Sequence, residues 1–298
     1  RGMVDDPMNI LALKRFAVEH SDLNDHKPHV VDDTGRRVAV VGGGPAGLKA
    51  ALTAAQRGHQ VTLVEQSGAL GGLMIPASVG AFKEDLRRYL SYLRRQVEKS
   101  QIHVMLHTRA DRALLEHLHP DAVILAVGGR AVMPPVPGLG TSGAVQAVAL
   151  LNAGLETAGT RVTILGGGSI GCELALELAA LDRMVTVVEL RDKLAANGNE
   201  LYRQDLMLHL EQETRITILT QTVCTGVTAQ GCTVREKDGG TRVIPHDTFV
   251  IAAGLRADAD AVEALYGVVP ETYYVGDCKR AASITEATTE AYFLGASL

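Results

Sequence analysis

The sequence predicts an α/β protein of two Rossmann-like three-layer units, and three observations carry that expectation. Segment 38–65 reads VAVVGGGPAGLKAALTAAQRGHQVTLVE, and segment 162–189 reads VTILGGGSIGCELALELAALDRMVTVVE. In each, a β-branched run meets Gly-x-Gly-x-x-Gly, an Ala/Leu-rich helical stretch follows, and a second β-branched run ends on an acid. This is the full context that a dinucleotide fingerprint requires. The third observation is an echo: AVILAVGGR at 122–130 follows the first segment much as TFVIAAGL at 248–255 follows the second. Such self-similarity points to a duplicated unit.

Elements can be placed in order around these anchors. Pro7 stands near the start of a helix over 8–20, with Ile10, Leu11, Leu13, Phe16 and Ala17 at helical spacing, and the polar stretch to residue 36 reads as a linker. A strand at 37–41 leads into the first fingerprint. The small-residue run 66–82 reads as a loop, 83–98 as a helix, 102–106 as a strand, 112–118 as a helix and 121–130 as a strand. Prolines in VMPPVPGLG then break regular structure. A helix is expected over 144–155 and another over 199–212. The runs ITILTQTV, GVTAQGCTVREKD and TRVIPHD suggest an antiparallel meander, TFVIAAGL closes the unit, and the tail holds the strand TYYVGDC and a helix from Ile284.

Bulk properties exclude several classes. The 298 residues carry 46% hydrophobic and 21% charged side chains, ordinary for a globular protein. A net charge of −5 disfavours nucleic acid as a partner. Apolar stretches such as 144–151 are too short for a membrane span, and no signal-peptide pattern opens the chain. The four cysteines lack CxxC spacing and suit a reducing, cytoplasmic setting. With aromatics at 4% and no Trp, a Trp-rich ligand cage is not expected. The chain opens on Arg1, and residues 1–36 are read as the end of a truncated upstream domain followed by a linker.

The fingerprints suit nucleotides for definite reasons. Gly42 and Gly166 allow the tight turn, Gly44 and Gly168 let backbone approach a pyrophosphate, and Gly47 and Gly171 let helix pack on strand. Pro45 and Ala46, like Ser169 and Ile170, open helices whose N-termini attract anions. Glu65 and Glu189 are placed to accept ribose hydroxyls. A carboxylate repels a 2′-phosphate, which favours NADH over NADPH at the second site; Arg191, two residues on, pulls the other way. A packing turn and a surface carboxylate are the bland alternatives. His117 and His119 form an HxH with too few companions for a metal site, and Cys172 and Cys278 read as packing.

The tail VPETYYVGDCKRAASITEATTEAYFLG carries the family resemblance. Gly276-Asp277 before a helix, with the two fingerprints, the pair Gly71-Gly72 and the AVGG and AAGL strand ends, resembles the two-dinucleotide-domain flavoproteins. Within that group, GGLMIPASVGAFKEDLRRYLSYLRRQV and the GDC ending are similar to the C-terminal half of old-yellow-enzyme-like NADH:flavin oxidoreductases. These include 2,4-dienoyl-CoA reductase, 2-enoate reductase and trimethylamine dehydrogenase. RGMVDDPMNILALKRFA looks instead like an adaptor ahead of glutamate-synthase small subunits, where cluster cysteines lie upstream; none is present here, so an iron–sulfur cluster would belong to a missing upstream region.

The resemblance implies an FAD-binding domain over 37–150 and 256–298, with an NAD(P)-binding domain over 151–255 inserted into it. It implies that Gly42, Gly44, Pro45, Ala46, Gly47, Glu65, Gln66, Gly72, Leu73, Arg109, Ala126, Val127, Gly128, Gly276, Asp277 and Ile284 hold FAD. Asp277 would take the ribityl chain, and the Ile284 N–H would meet the flavin N1/C2 edge. Gly166, Gly168, Ser169, Ile170, Gly171, Glu189, Arg191 and Gly254 would hold NAD. Ser283 and Glu286 form a capping box that a cap alone explains equally well. No metal and no protein catalytic group is expected. A dithiol beside the flavin is missing, so the resemblance implies electron relay from NADH through FAD to an FMN, iron–sulfur or partner-protein acceptor, with an oligomer compatible. The alternatives are a non-catalytic nucleotide-binding module and a part of an enoate or dienoyl-CoA-type reductase.

Overall fold

The structure, a computed structural model, describes residues 9–22, 31–196 and 198–298. Helix α1 (Ile10–Glu19) is capped by the Asn9 side chain, which accepts the Ala12 N–H at 2.9 Å, and it buries no residue. The expected start at Pro7 and residues 23–30 of the linker lie outside the described residues.

The first unit begins with β1 (Arg37–Val41), α2 (Pro45–Gln56) and β2 (Gln60–Val64). A short helix α3 (Met74–Ala77) interrupts the expected loop, and α4 (Glu84–Lys99), β3 (His103–Met105) and α5 (Arg112–Leu118) follow. The expected strand 121–130 divides at the glycines. β4 (Ala122–Leu125) joins the main sheet, whereas β5 (Gly129–Ala131) leaves it.

The second unit opens on β6 (Val145–Gln146), where a helix was expected, because Val145 pairs with Val250 before α6 (Ala147–Ala153) begins. Then come β7 (Arg161–Leu165), α7 (Ser169–Ala180), β8 (Met184–Val188), α8 (Glu200–Gln212) and β9 (Ile216–Leu219). β9 pairs in parallel with β8, so ITIL is a sheet edge and not the first meander strand. The meander comprises β10 (Val223–Val227), β11 (Gly231–Arg235) and β12 (Thr241–Pro245), after which β13 (Thr248–Ile251) returns to the sheet. Period-2 alternation is common to both strand types, which is why the sequence merged them.

The chain then rejoins the first unit through β14 (Leu255–Ala257), which pairs antiparallel with β5, then α9 (Ala259–Leu265), β15 (Glu271–Tyr274) and α10 (Ile284–Ser297). The two five-stranded parallel sheets have the orders β15-β4-β1-β2-β3 and β6-β13-β7-β8-β9. Both faces of each sheet are covered, so central strands are apolar throughout, as at Val38–Val40 and Ala122–Leu125. Leu48, Leu63 and Ile124 are fully buried in the first core, as are Ile164, Leu178 and Val187 in the second.

Two buried histidines give the fold a pH dependence. His59 Nδ1 lies 2.7 Å from Thr34 Oγ1, and His246 Nε2 lies 3.2 Å from the Thr228 carbonyl. The second ring nitrogen of each has no partner among the described residues. Burial pushes both below their ordinary 6.5. Both therefore stay neutral in the native state while the unfolded chain takes up protons below 6.5. Stability should be fully present above that value and fall on acidification below it, with a slope of up to about 1.4 kcal/mol per pH unit for each ring. Urea unfolding at pH 7.5 and 5.5 should show the loss, and it should shrink in the double variant His59→Gln/His246→Gln.

Candidate functional site: two glycine-turn cradles

Each fingerprint forms a turn that only glycine fits. Gly42 has φ +106°, and a Cβ there would lie 2.3 Å from the Ala126 carbonyl oxygen at the end of β4. Gly166 has φ +112°, with the equivalent approach of 2.4 Å to the Ala252 oxygen. A Cβ on Gly47 would lie 1.8 Å from the Gly42 oxygen, and one on Gly171 2.0 Å from the Gly166 oxygen. Helix therefore sits directly on strand in both units. Gly44 and Gly168 differ: a Cβ on either meets no atom within 4 Å. These middle glycines face open space at the uncapped starts of α2 and α7. Pro45 has no N–H to offer. The remaining first-turn donors of α2, including Ala46 and Gly47, need an acceptor from outside the helix.

The acids are locked onto these turns. Glu65, buried at 7% exposure, accepts the Gly43 N–H at 2.6 Å and the Ser67 N–H at 2.7 Å. Glu189 repeats the pattern with the Gly167 N–H at 2.6 Å and the Arg191 N–H at 2.7 Å. Each carboxylate keeps lone pairs for a further donor. Thr108 donates its N–H to the Glu65 carbonyl, which brings Arg109 beside the first acid, while Gln66 is exposed next to it. Arg191 is exposed, with its backbone carbonyl held by the Gln221 N–H.

Long-range packing completes the first cradle. Gly71 donates its N–H to the Gly43 carbonyl at 2.7 Å, and a Cβ on Gly72 would lie 2.9 Å from Gly44 Cα. The following residue, Leu73, precedes α3. From the tail, a Cβ on Gly276 would lie 2.9 Å from the Ala46 methyl, and one on Gly129 would lie 3.4 Å from Asp277 Cβ. Gly276-Asp277 thus meets both the start of α2 and Gly129, just past the Ala126-Val127-Gly128 strand end. Asp277 accepts the Ala282 N–H at 3.2 Å, and burial raises its pKa. Ile284 opens α10 and packs on the first core, while Ser283 and Glu286 satisfy each other as a capping box. Those two side chains act as the cap.

Ile170 and Gly254 line a small pocket of about 10 Å³ together with Gln146, Ala147, Ala252 and Leu255, and with Ala131 of β5. Gln146, Ala147 and Leu255 escaped sequence reasoning because no local pattern marks them. Arg94 also escaped: its guanidinium donates twice to the Leu70 carbonyl, at 2.8 and 2.5 Å, and so holds the Gly71-Gly72 loop from α4. In sequence it is one of several arginines on an amphipathic helix.

The cysteines sit away from the two turns or in the packing behind them, and a hydrogen bond between the Cys224 and Cys232 thiols of the meander lowers the pKa of the first and raises that of the second. All four cysteines are free and buried. Burial pushes the Cys172 thiol up to about 12, and the Cys278 thiol points at the Val275 carbonyl at 3.1 Å. His119 closes α5, its ring on the His117 carbonyl. No cluster of three potential metal ligands occurs among the described residues.

Residues 36–291 match the family model described as pyridine nucleotide-disulphide oxidoreductase. The chain belongs to this family. It is 34% identical over 261 residues to a bilirubin reductase of Mediterraneibacter gnavus, covering 87% of this chain and 40% of that one. It is 34% identical over 224 residues to an NADH oxidase of Thermoanaerobacter brockii, covering 74% of this chain and 34% of that one. Among solved structures, a 2-naphthoyl-CoA reductase superposes with TM-score 0.85 at 25% identity, over 92% of this chain and 42% of that one. The chain thus covers well under half the length of these relatives. As a family member it has the FAD/NAD(P) oxidoreductase architecture, and its four cysteines have no CxxC spacing. No helix of the described residues is long and apolar enough to cross a membrane.

Proposed function

We propose that the chain is an FAD-dependent NAD(P)H oxidoreductase module that takes electrons from NADH and passes them to an acceptor in another domain or subunit. The observation that carries this is the pair of open middle glycines, Gly44 and Gly168, each on a helix start with a carboxylate locked to its turn. The residues fit the groups: a glycine cradle with free N–H donors suits a pyrophosphate, and Glu65 and Glu189 suit ribose hydroxyls. The first cradle, in the unit built from β1–β5 and β14–α10, would hold FAD; the expected boundary at 150 moves back to β6, because Val145–Gln146 pair with β13 of the other sheet. Gly42, Gly44, Ala46 and Gly47 would take its pyrophosphate, Glu65 with Gln66 and Arg109 its adenosine end, and Gly72, Leu73 and Ala126–Gly128 its flank. Gly276, Asp277 and the Ile284 N–H would take the ribityl and ring end. A flavin held there accepts hydride from reduced nicotinamide and releases electrons singly or in pairs. The Ile284 N–H, at a helix N-terminus, would stabilise negative charge arriving at the flavin N1 edge.

The second cradle, in the unit from β6 to β13, would hold NADH through Gly166, Gly168, Ser169, Ile170, Gly171, Glu189 and Gly254. Two like charges about 4 Å apart repel by about 1–4 kcal/mol at a protein surface. Glu189 should therefore favour NADH over NADPH by about tenfold or more, with Arg191 limiting the margin. The acceptor would be an FMN, an iron–sulfur centre or a partner protein, because the relatives named as reductases of organic compounds are more than twice as long. Four free thiols suit a cytoplasmic setting. The test is anaerobic titration of the FAD-loaded protein. NADH should bleach the yellow colour, and NADPH should do so more slowly. A colourless protein, or a yellow one that NADH leaves unchanged, overturns the proposal in favour of a non-catalytic nucleotide-binding module.

A further inference from the structure

Two carboxylates one turn apart on α7, Glu173 and Glu177, reach from the second unit to the 78–83 loop of the first. Glu173 Oε1 lies 2.8 Å from Lys83 Nζ and also accepts the hydroxyl of Tyr202 on α8. Lys83 donates in turn to that hydroxyl at 3.3 Å and lies over the Phe82 and Tyr202 rings, 4.8 and 5.4 Å from their centroids. Glu177 accepts the Ala81 N–H at 3.1 Å, and a Cβ on Gly80 would lie 2.5 Å from the same oxygen. On the other side, Arg87 of α4 donates to the carbonyls of Ser78, Gly80 and Ala81 at 2.8, 2.6 and 3.3 Å. The loop is therefore clamped between the two units.

The chemistry of this cluster argues for orientation over stability. Lys83 and Glu173 are only 18% and 21% exposed, so solvent screens their attraction weakly and both pay desolvation. An apolar pair of the same volume would hold two surfaces together as well, but it would leave their angle free. An ion pair with a hydroxyl and a stacked ring fixes direction. Direction matters here because the units are joined covalently by only two chain crossings, through β5 and β14, and also meet where α3 packs on α6. Two linkers side by side form a hinge. The helix that carries both carboxylates also starts at the second glycine turn, and the clamped loop continues from Gly71-Gly72 of the first.

We propose that Lys83, Glu173 and Tyr202, with Glu177 on the Ala81 N–H, are positioning residues that set the second dinucleotide unit against the first at the angle hydride passage requires. This rests on the two-nucleotide reading above, and misplacement by about 1 Å can cost about a hundredfold in such a step.

The test uses spin labels at Arg95→Cys on α4 and Glu211→Cys on α8, both exposed, since the native thiols are buried. Pulsed electron resonance should give one narrow inter-label distance in the otherwise unchanged FAD-loaded chain. Lys83→Met and Glu173→Gln should broaden it, Tyr202→Phe should broaden it less, and Lys83→Arg should restore it. Flavin reduction by NADH should slow on the order of tenfold in Lys83→Met, while FAD affinity stays unchanged. Unchanged distance distributions in Lys83→Met, Glu173→Gln and Tyr202→Phe overturn the proposal. Should one variant fail to fold, the other two decide it. If NADH fails to bleach the unaltered protein, the oxidoreductase reading falls, and the distances still report on the latch.

Discussion

Gly44→Val should strip the protein of FAD and leave its fold intact. The two effects separate because of where this glycine stands. Its backbone is ordinary extended chain, φ −73° and ψ −178°, and no atom lies within 4 Å of a Cβ built on it. The Cβ of valine therefore meets neither strain nor a neighbour, and stability should fall by no more than about 1 kcal/mol, the cost of an apolar residue at an N-cap. The same side chain would fill the space over the start of α2 that a pyrophosphate needs. Affinity for FAD should fall roughly a thousandfold, about 4 kcal/mol. Flavin fluorescence titration reads the first quantity and urea unfolding the second. Gly47→Ala is the contrasting control. Its Cβ would lie 1.8 Å from the Gly42 oxygen, so it should damage the unit itself. Wild-type FAD affinity in Gly44→Val would show that no pyrophosphate lies over this turn.

Gly168→Val should produce the complementary phenotype, a yellow protein that NADH reduces poorly. The backbone here, φ −67° and ψ 177°, is equally permissive, and the position is open. FAD content should match the unaltered chain because the two turns belong to different sheets. The apparent second-order rate of flavin reduction by NADH should fall about a hundredfold, about 2.7 kcal/mol of lost binding. Dithionite, which needs no nucleotide site, should still bleach the flavin at the normal rate. Stopped-flow absorbance with both reductants makes the comparison. Undiminished reduction by NADH would move the nicotinamide site away from this cradle. The paired variants also test the duplication itself: each should remove one nucleotide, and their effects should be independent because the two turns belong to different sheets.

The likeness of the two turns extends to atoms that the motif leaves unstated. Glu65 binds the Gly43 N–H as Glu189 binds the Gly167 N–H, both at 2.6 Å, and Thr108 and Thr222 donate to the carbonyls of the two acids. A free acid on a strand end would sample several rotamers. One pinned by two backbone donors is already oriented, which lowers the entropy cost of binding a ribose. The units then diverge in what surrounds the turn. The first receives the Gly276-Asp277 tail and the Arg94-held loop, whereas beside the second there is only a small pocket lined by Gln146, Ile170 and Gly254.

The amino-acid sequence by itself determined the two units, their order and their glycine turns. Those signals are local: strand, turn, helix and acid fall within 28 residues, and Gly47 meets Gly42 and Glu65 meets Gly43 within that window. It misjudged elements whose state depends on a distant partner. Val145–Gln146 is a strand only because Val250 and Ile251 lie alongside, and Ile216–Leu219 is a parallel edge only because β8 is its neighbour. Only the tertiary structure brought Gly276 onto Ala46, Arg94 onto Leu70, and Lys83 onto Glu173. Contacts between residues tens to hundreds of positions apart follow from how the sheets stack and the chain crosses between them, and no residue pattern in one dimension encodes that distance.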